Sequence, residues 1–323
     1  MIQDPFRPGL LLRNAHLQTV LASSKIRALG KNPMTNVAQE IIFETPDGVR
    51  LLGYYSPQLR CVSKGLVILL SGWEGSADST YVLCTGRQLY REGFSIVRLN
   101  FRDHGNSHHL NEGLFYAVLL DEVYHAVKEA AKLGEGRPVF LSGFSFGGNF
   151  ALRIGRKCIE KPIPELKHIV SISPVLDPDK ATDRIDRNPM ILKYFLKKWR
   201  RSLKKKERLF PDVYDFSNLM HENSIRGMTD LLLAQYSAYS SSKSYFSEYS
   251  ILGSAPRDIV IPTTIITSED DPIIPVEDFF ELEINDRTEL IIHPFGGHNG
   301  FIDGPFLKSW YERKMARIFE QYE

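Results

Sequence analysis

Three side chains of complementary chemistry stand in the order nucleophile, acid, base: Ser145, a carboxylate at Asp270-Asp271, and His298. Ser145 lies in Gly143-Phe144-Ser145-Phe146-Gly147, between the apolar run Val139–Ser142 and a helical run from about Gly148 to Lys157. G-x-S-x-G between a strand and a helix makes a sharp turn that pushes the hydroxyl clear of the chain. Side chains two positions to either side would meet the strand or the helix, so glycine is required at 143 and 147. A serine hydroxyl is a weak nucleophile. It needs a base to take its proton, an acid to orient that base, and donors for the oxyanion that forms.

Asp271 is the expected acid, because it opens Asp-x-Ile-x-Pro where the chain leaves the strand at 262–268; Asp270 competes with it, and Asp177 is a further candidate past the preceding strand. His298, in Gly296-Gly297-His298-Asn299-Gly300, has small neighbours that let an imidazole turn inward. His104, His108 and His109 cluster after Asp103, but they lack a carboxylate or cysteine at helical ligand spacing and read as a polar loop rather than a metal site. His293 ends a strand, where it packs or hydrogen-bonds. Backbone N–H groups supply the oxyanion hole: Phe146, after the nucleophile, and Trp73, in the glycine-rich turn Ser71–Ser76.

The surrounding elements alternate. Gln39–Glu44 and Val49–Ser56 flank Thr45-Pro46-Asp47-Gly48, a hairpin signal. Strands are expected at Leu66–Leu70, Ser95–Asn100, His168–Ser173, Pro262–Ser268 and Glu289–His293, and helices at His16–Ala28, Thr80–Glu92, Leu114–Leu133, Val276–Leu282 and Pro305–Tyr322. Alternating β and α elements predict an α/β fold with a mostly parallel central sheet flanked by helices and chemistry at its strand ends. The alternation stops between about 175 and 255, where the pattern is helical and too long for a loop. The expected organisation is therefore core (1–174), inserted helical lid (175–255) and core again (256–323).

Several of these stretches carry a family resemblance: Asn14-Ala15-His16-Leu17-Gln18-Thr19, Leu70–Ser76, Asn100-Phe101-Arg102-Asp103-His104-Gly105, Gly143–Asn149, Asp270-Asp271-Pro272 and Gly296-Gly297-His298. Together they resemble the YheT-like esterase group of α/β-hydrolases, which is similar to plant embryogenesis-associated hydrolases and mammalian hydrolase-domain phospholipases. The HLQT stretch is the most specific, since generic hydrolases lack it. The resemblance implies a Ser145–Asp271–His298 triad and a carboxylic-ester hydrolase acting on short-chain or lipid esters. Asp103 and Asn299 depart from it, standing where glycine is common.

In the inserted region, Leu192, Phe195, Leu196, Trp199 and Leu203 form an apolar helical stripe. The other faces carry Lys193, Lys197, Lys198, Arg200, Arg201, Lys204, Lys205, Lys206 and Arg208. Such a helix either packs its stripe on the core with solvated charges or lies on anionic lipid. Tyr236, Tyr239, Tyr245, Phe246 and Tyr249 either line an acyl pocket or pack within the lid. A net charge of +1 gives no global pull toward nucleic acid, and no nucleic-acid motif accompanies the basic run. Cys61, Cys84 and Cys158 are widely spaced and odd in number, which favours a reducing compartment. The N-terminus, with Asp4, Pro5 and Pro8, lacks a signal-peptide core, so the expected location is the cytoplasm. No metal or organic cofactor is expected. The expected activity is ester hydrolysis; an acyltransferase, another triad hydrolase or a non-catalytic module on the same fold are the alternatives.

Overall fold

The computed structural model describes residues 6–304 and 306–323. Residues 1–5, with Asp4 and Pro5 of the N-terminal reading, and Pro305, the expected start of the closing helix, lie outside them. In chain order the elements are α1 (Ala15–Ala22), α2 (Pro33–Asn36), β1 (Gln39–Glu44), β2 (Arg50–Ser56), β3 (Leu66–Leu70), α3 (Thr80–Arg91), β4 (Ser95–Leu99), α4 (Leu120–Ala131), β5 (Val139–Phe144) and α5 (Phe146–Lys157). There follow β6 (Leu166–Ile172), α6 (Pro178–Arg187), α7 (Pro189–Leu209), α8 (Ile225–Tyr236), α9 (Ser242–Glu248), β7 (Thr263–Ser268), α10 (Glu277–Phe280), β8 (Thr288–His293) and α11 (Trp310–Phe319).

The eight strands form one sheet in the order β1-β2-β4-β3-β5-β6-β7-β8. Pairing is antiparallel from β1 to β4 and parallel from there to β8. All residues of β3, β4, β5 and β7 are buried, as continuous apolar runs covered on both faces require. One face packs Val123 and Val127 of α4 with Phe150, Leu152 and Ile154 of α5. The other packs Val82 and Leu89 of α3 with Tyr311 and Met315 of α11. Each such side chain contributes on the order of 1.5–3 kcal/mol of burial. Among the described residues no helix is long and apolar enough to cross a membrane.

Some expected boundaries move for identifiable reasons. The helix expected over His16–Ala28 stops at Ala22, and a separate 3-10 turn, Lys25–Ala28, turns Arg27 inward. There the buried Arg27 Nη2 meets Glu312 Oε1 at 2.9 Å. The helix expected from Leu114 begins only at α4, because the preceding backbone is claimed by other partners. Phe115 N–H donates to Asp103 Oδ2, Ala117 N–H donates to the Tyr245 hydroxyl, and the Ala117 carbonyl accepts from Arg153. The closing helix starts at Trp310, because Lys308–Ser309 pairs antiparallel with Ile302–Asp303.

Between β6 and β7 the chain runs through α6–α9. Asp177, Asn188, Ser224 and Ser241 cap them by accepting N–H groups of the first turns. The stripe of α7 turns inward, with Leu196, Trp199 and Leu203 buried in the main core cluster. One of the basic residues departs from a solvated face: Lys206 is buried, donating to Asp103 Oδ1 at 2.8 Å and to the carbonyls of Asn111 and Gly113. Burial raises the Asp103 carboxyl's pKa and lowers that of the Lys206 ammonium, so desolvation weighs against both charges. Such a pair adds little net stability, but removing one partner strands the other. Lys206→Met should therefore cost about 3–5 kcal/mol in a urea titration, and Asp103→Asn in the same chain should recover part of that loss.

Candidate active site

The turn between β5 and α5 consists of Ser145 alone, tighter than the expected spacing from Ser142 to Gly148. Ser145 has φ 54 and ψ −116, a conformation that non-glycine residues seldom adopt. Its N–H donates to the Ile172 carbonyl at 2.7 Å, which ties the strained residue to the end of β6. The flanking glycines allow the approach. A Cβ at Gly143 would overlap the Gly147 carbonyl, and one at Gly147 would stand 2.5 Å from the Ser71 carbonyl oxygen.

The structure brings His298 and Asp271 to this hydroxyl. His298 Nε2 lies 2.8 Å from Ser145 Oγ, and His298 Nδ1 lies 2.8 Å from Asp271 Oδ2. The other Asp271 oxygen accepts the N–H groups of Ile273 and Ile274 at 2.8 and 3.0 Å, so the buried carboxylate is fixed at both oxygens. Asp270 faces elsewhere: its Oδ1 accepts the Gly297 N–H at 2.8 Å and braces the histidine loop. Asp177 is occupied as the α6 cap, accepting the N–H groups of Asp179 and Lys180.

Opposite the histidine, the turn after β3 passes close to Ser145. A Cβ on Gly72 would stand 3.4 Å from the Ser145 Cβ. In that turn Gly72 N–H donates to the Tyr81 hydroxyl, Glu74 N–H to His104 Nε2 at 3.1 Å, and Gly75 N–H to the Gly72 carbonyl. Among the described residues, the Trp73 and Phe146 N–H groups have no acceptor. The indole of Trp73 stacks on Phe195 and meets Trp199 edge-on, both from α7.

His104 is not a loose loop residue. It is buried, burial lowers its pKa to about 4, and Nδ1 donates to the Arg102 carbonyl while Nε2 accepts from Glu74. A neutral imidazole thus braces the turn that carries Trp73. His108, also buried and lowered to about 3, contacts Ser202 Oγ of α7, and His109 is exposed. Among the described residues no group of His, Cys, Asp and Glu could hold a metal ion. His293 packs edge-on against Trp310.

A cavity of about 1020 Å³ opens over Ser145, His298, Trp73 and Phe146. Tyr245, Phe246 and Tyr249 line it, whereas Tyr236 packs against Tyr214 and Phe216. Glu74 also lines it, with φ 54 and a carboxyl whose pKa enclosure in protein raises to about 8. The charge state of Glu74 and the bracing role of His104 were not readable from residue spacing, because both come from burial. Gln18 and Thr19 were visible only as part of a resemblance; here they bond to the chain around His298.

Residues 67–307 match the alpha/beta hydrolase family. An abhydrolase domain-containing protein of Dictyostelium discoideum is 26% identical, covering 98% of this chain and 81% of its own length. The protein abhd-3.2 of Caenorhabditis elegans is 25% identical, covering 90% of this chain and 80% of its own length. Among solved structures, an esterase of Pyrococcus furiosus superposes with a TM-score of 0.58 at 19% identity, covering 91% of this chain and 95% of that one. Mouse alpha/beta hydrolase domain-containing protein 10 superposes at 0.55 with 14% identity, covering 88% of this chain and 100% of that one. With the family match running from β3 through β8 and taking in the serine turn and the histidine loop, the chain belongs to the alpha/beta hydrolase family.

Proposed function

We propose that the protein is a serine hydrolase of carboxylic esters, with Ser145 as nucleophile, His298 as general base and acid, and Asp271 as the orienting carboxylate. The observation that carries this reading is the continuous hydrogen-bond chain from Asp271 through His298 to the Ser145 hydroxyl. In this reading His298 Nδ1–H donates to Asp271, which leaves Nε2 free to accept the Ser145 proton. As Oγ bonds to the ester carbonyl carbon, negative charge moves onto the carbonyl oxygen, where the Trp73 and Phe146 N–H groups receive it. His298 then protonates the departing alkoxide, and the acyl-enzyme forms. Water repeats the sequence, losing its proton to His298 and releasing the acid. The aromatic lining supplied by Trp73, Phe195, Tyr245, Phe246 and Tyr249 supports an apolar acyl group, and α6–α9 serve in this reading as the lid over it.

The test is labelling with a fluorophosphonate probe beside a p-nitrophenyl ester chain-length panel. Wild type should label and turn over; Ser145→Ala should do neither, and equal labelling of both proteins would overturn the reading. Asp271→Asn should lower kcat by about 10³–10⁴-fold, as expected when the imidazole loses its orienting anion. Asp270→Asn should cost far less, because that carboxylate contacts the loop backbone rather than the imidazole.

Glu74 makes a pH prediction. Its pKa is raised to about 8 by burial, so below that pH it is neutral, and above it a negative charge joins the lining of the cavity that holds Ser145. Because that charge opposes the developing oxyanion, kcat/KM should fall as pH rises through about 8. Glu74→Gln should remove this alkaline limb while keeping the neutral-pH rate near wild type.

A further inference from the structure

The histidine loop is built from unfavourable backbone. Gly297, Asn299 and Phe301 have φ of 53, 61 and 48 at alternate positions, after Gly296 at 151. For two of these, non-glycine side chains occupy the left-handed region, which persists only where neighbours over-determine it. A segment in such a conformation has no regular ladder to hold it, yet His298 Nε2 must stay within hydrogen-bond reach of Ser145 Oγ.

Asp270 and Ser268 bond Gly297 from the end of β7, and further neighbours come from the other end of the chain. Thr19 Oγ1 accepts the His298 N–H at 2.9 Å. The same hydroxyl donates to the Ala15 carbonyl at 2.8 Å, so its proton is committed to the helix and a lone pair faces the histidine amide. Gln18 is fully buried. Its Oε1 accepts the Ile302 N–H at 2.8 Å, and its Nε2 donates to the Ile302 carbonyl at 3.0 Å and to the Leu12 carbonyl at 2.6 Å. One side-chain amide thus mimics a strand partner for Ile302, just past the loop, while Thr19 grips the residue that carries the imidazole. Packing agrees with this. A Cβ on Gly297 would sit 2.8 Å from both Gln18 Cβ and Thr19 Oγ1, and one on Gly300 would sit 2.6 Å from Gln18 Oε1. The helix is itself fixed, since Arg27 just beyond it bonds Ser309 Oγ, Glu312 and the Leu307 carbonyl.

We propose that Gln18 and Thr19 are positioning residues for His298, clamping its loop so that the imidazole meets Ser145. The proposal rests on the serine-hydrolase reading for its kinetic consequence, but not for its structural one. Both residues lie outside the part of the chain that matches the family, residues 67–307. The clamp is therefore an addition carried by the N-terminal segment.

Thr19→Val keeps the shape of the side chain and removes the acceptor. It should lower kcat by about 10–100-fold with KM nearly unchanged, the size expected when a reacting group is misplaced by a fraction of its contact distance. Thr19→Ser should restore the rate, because the hydroxyl returns. Gln18→Met, similar in length and without the amide, should also lower kcat, and His16→Ala, an exposed position on the same helix, should leave it unchanged. Deuterium exchange of the 296–303 peptide, which needs no turnover, should be faster in Thr19→Val and in Gln18→Met while exchange in β5 stays as in wild type. Wild-type kcat and wild-type exchange in Thr19→Val would overturn the clamp, as would equal losses in Thr19→Val and Thr19→Ser. Faster exchange in a protein whose wild type neither labels nor hydrolyses esters would keep the clamp and sink the hydrolase reading instead.

Discussion

Everything at this site follows from one backbone residue held where a side chain is seldom tolerated. Ser145 stands at φ 54 between the last residue of β5 and the first of α5, and its amide is fastened to the neighbouring strand. That conformation stores strain, of order 1–3 kcal/mol for a residue in a sparse region, and the surrounding close-packed sheet absorbs it. The glycines at 143 and 147, the burial of β5 and the approach of the turn after β3 are all conditions for keeping this residue in place. The same turn exposes the hydroxyl and places Phe146 beside it at the cavity wall.

A second constraint ties the helices between β6 and β7 to the opposite wall. Trp73 is stacked against Phe195 and Trp199 of α7, and Ser202 and Lys206 of the same helix reach Asp103. His104, next in sequence to Asp103, braces Glu74. The turn after β3 and the long basic helix are therefore one packed unit, in which a buried imidazole accepts a backbone N–H beside the apolar contacts. Asp103 and Asn299 both adopt positive φ, 56 and 61. Short polar side chains are the ones that enter that region at least cost. The Asp103 carboxylate in turn anchors α7 through Lys206.

The strands and the mostly parallel sheet were legible because parallel, doubly covered strands read as largely apolar runs. Ser145, Asp271 and His298 were legible because each follows such a run within a few residues, so local sequence places it at the sheet's carboxyl rim. The choice of Asp271 over Asp270 rested on the Asp-x-Ile-x-Pro pattern rather than on local geometry. Adjacent residues leaving a strand face different ways, and only the fold reveals that one meets the imidazole and the other the loop amide. The start of α4 was misjudged because periodicity continues through Leu114–Leu119 while tertiary partners take its backbone groups. Gln18 and Thr19 lay beyond any local reading: Gln18 and Ile302 are 284 positions apart.

That separation has a consequence for the order of events as the chain is made. In the proposed clamp, His298 is seated only once Thr19 meets its N–H and Gln18 meets Ile302, contacts between segments far apart in sequence. A nascent chain can already have packed β3, β4 and β5 and turned Ser145 outward while its base is still in the ribosomal tunnel. In the proposed hydrolase, Ser145 therefore stays an inert alcohol until the residues around 298–312 have emerged and packed.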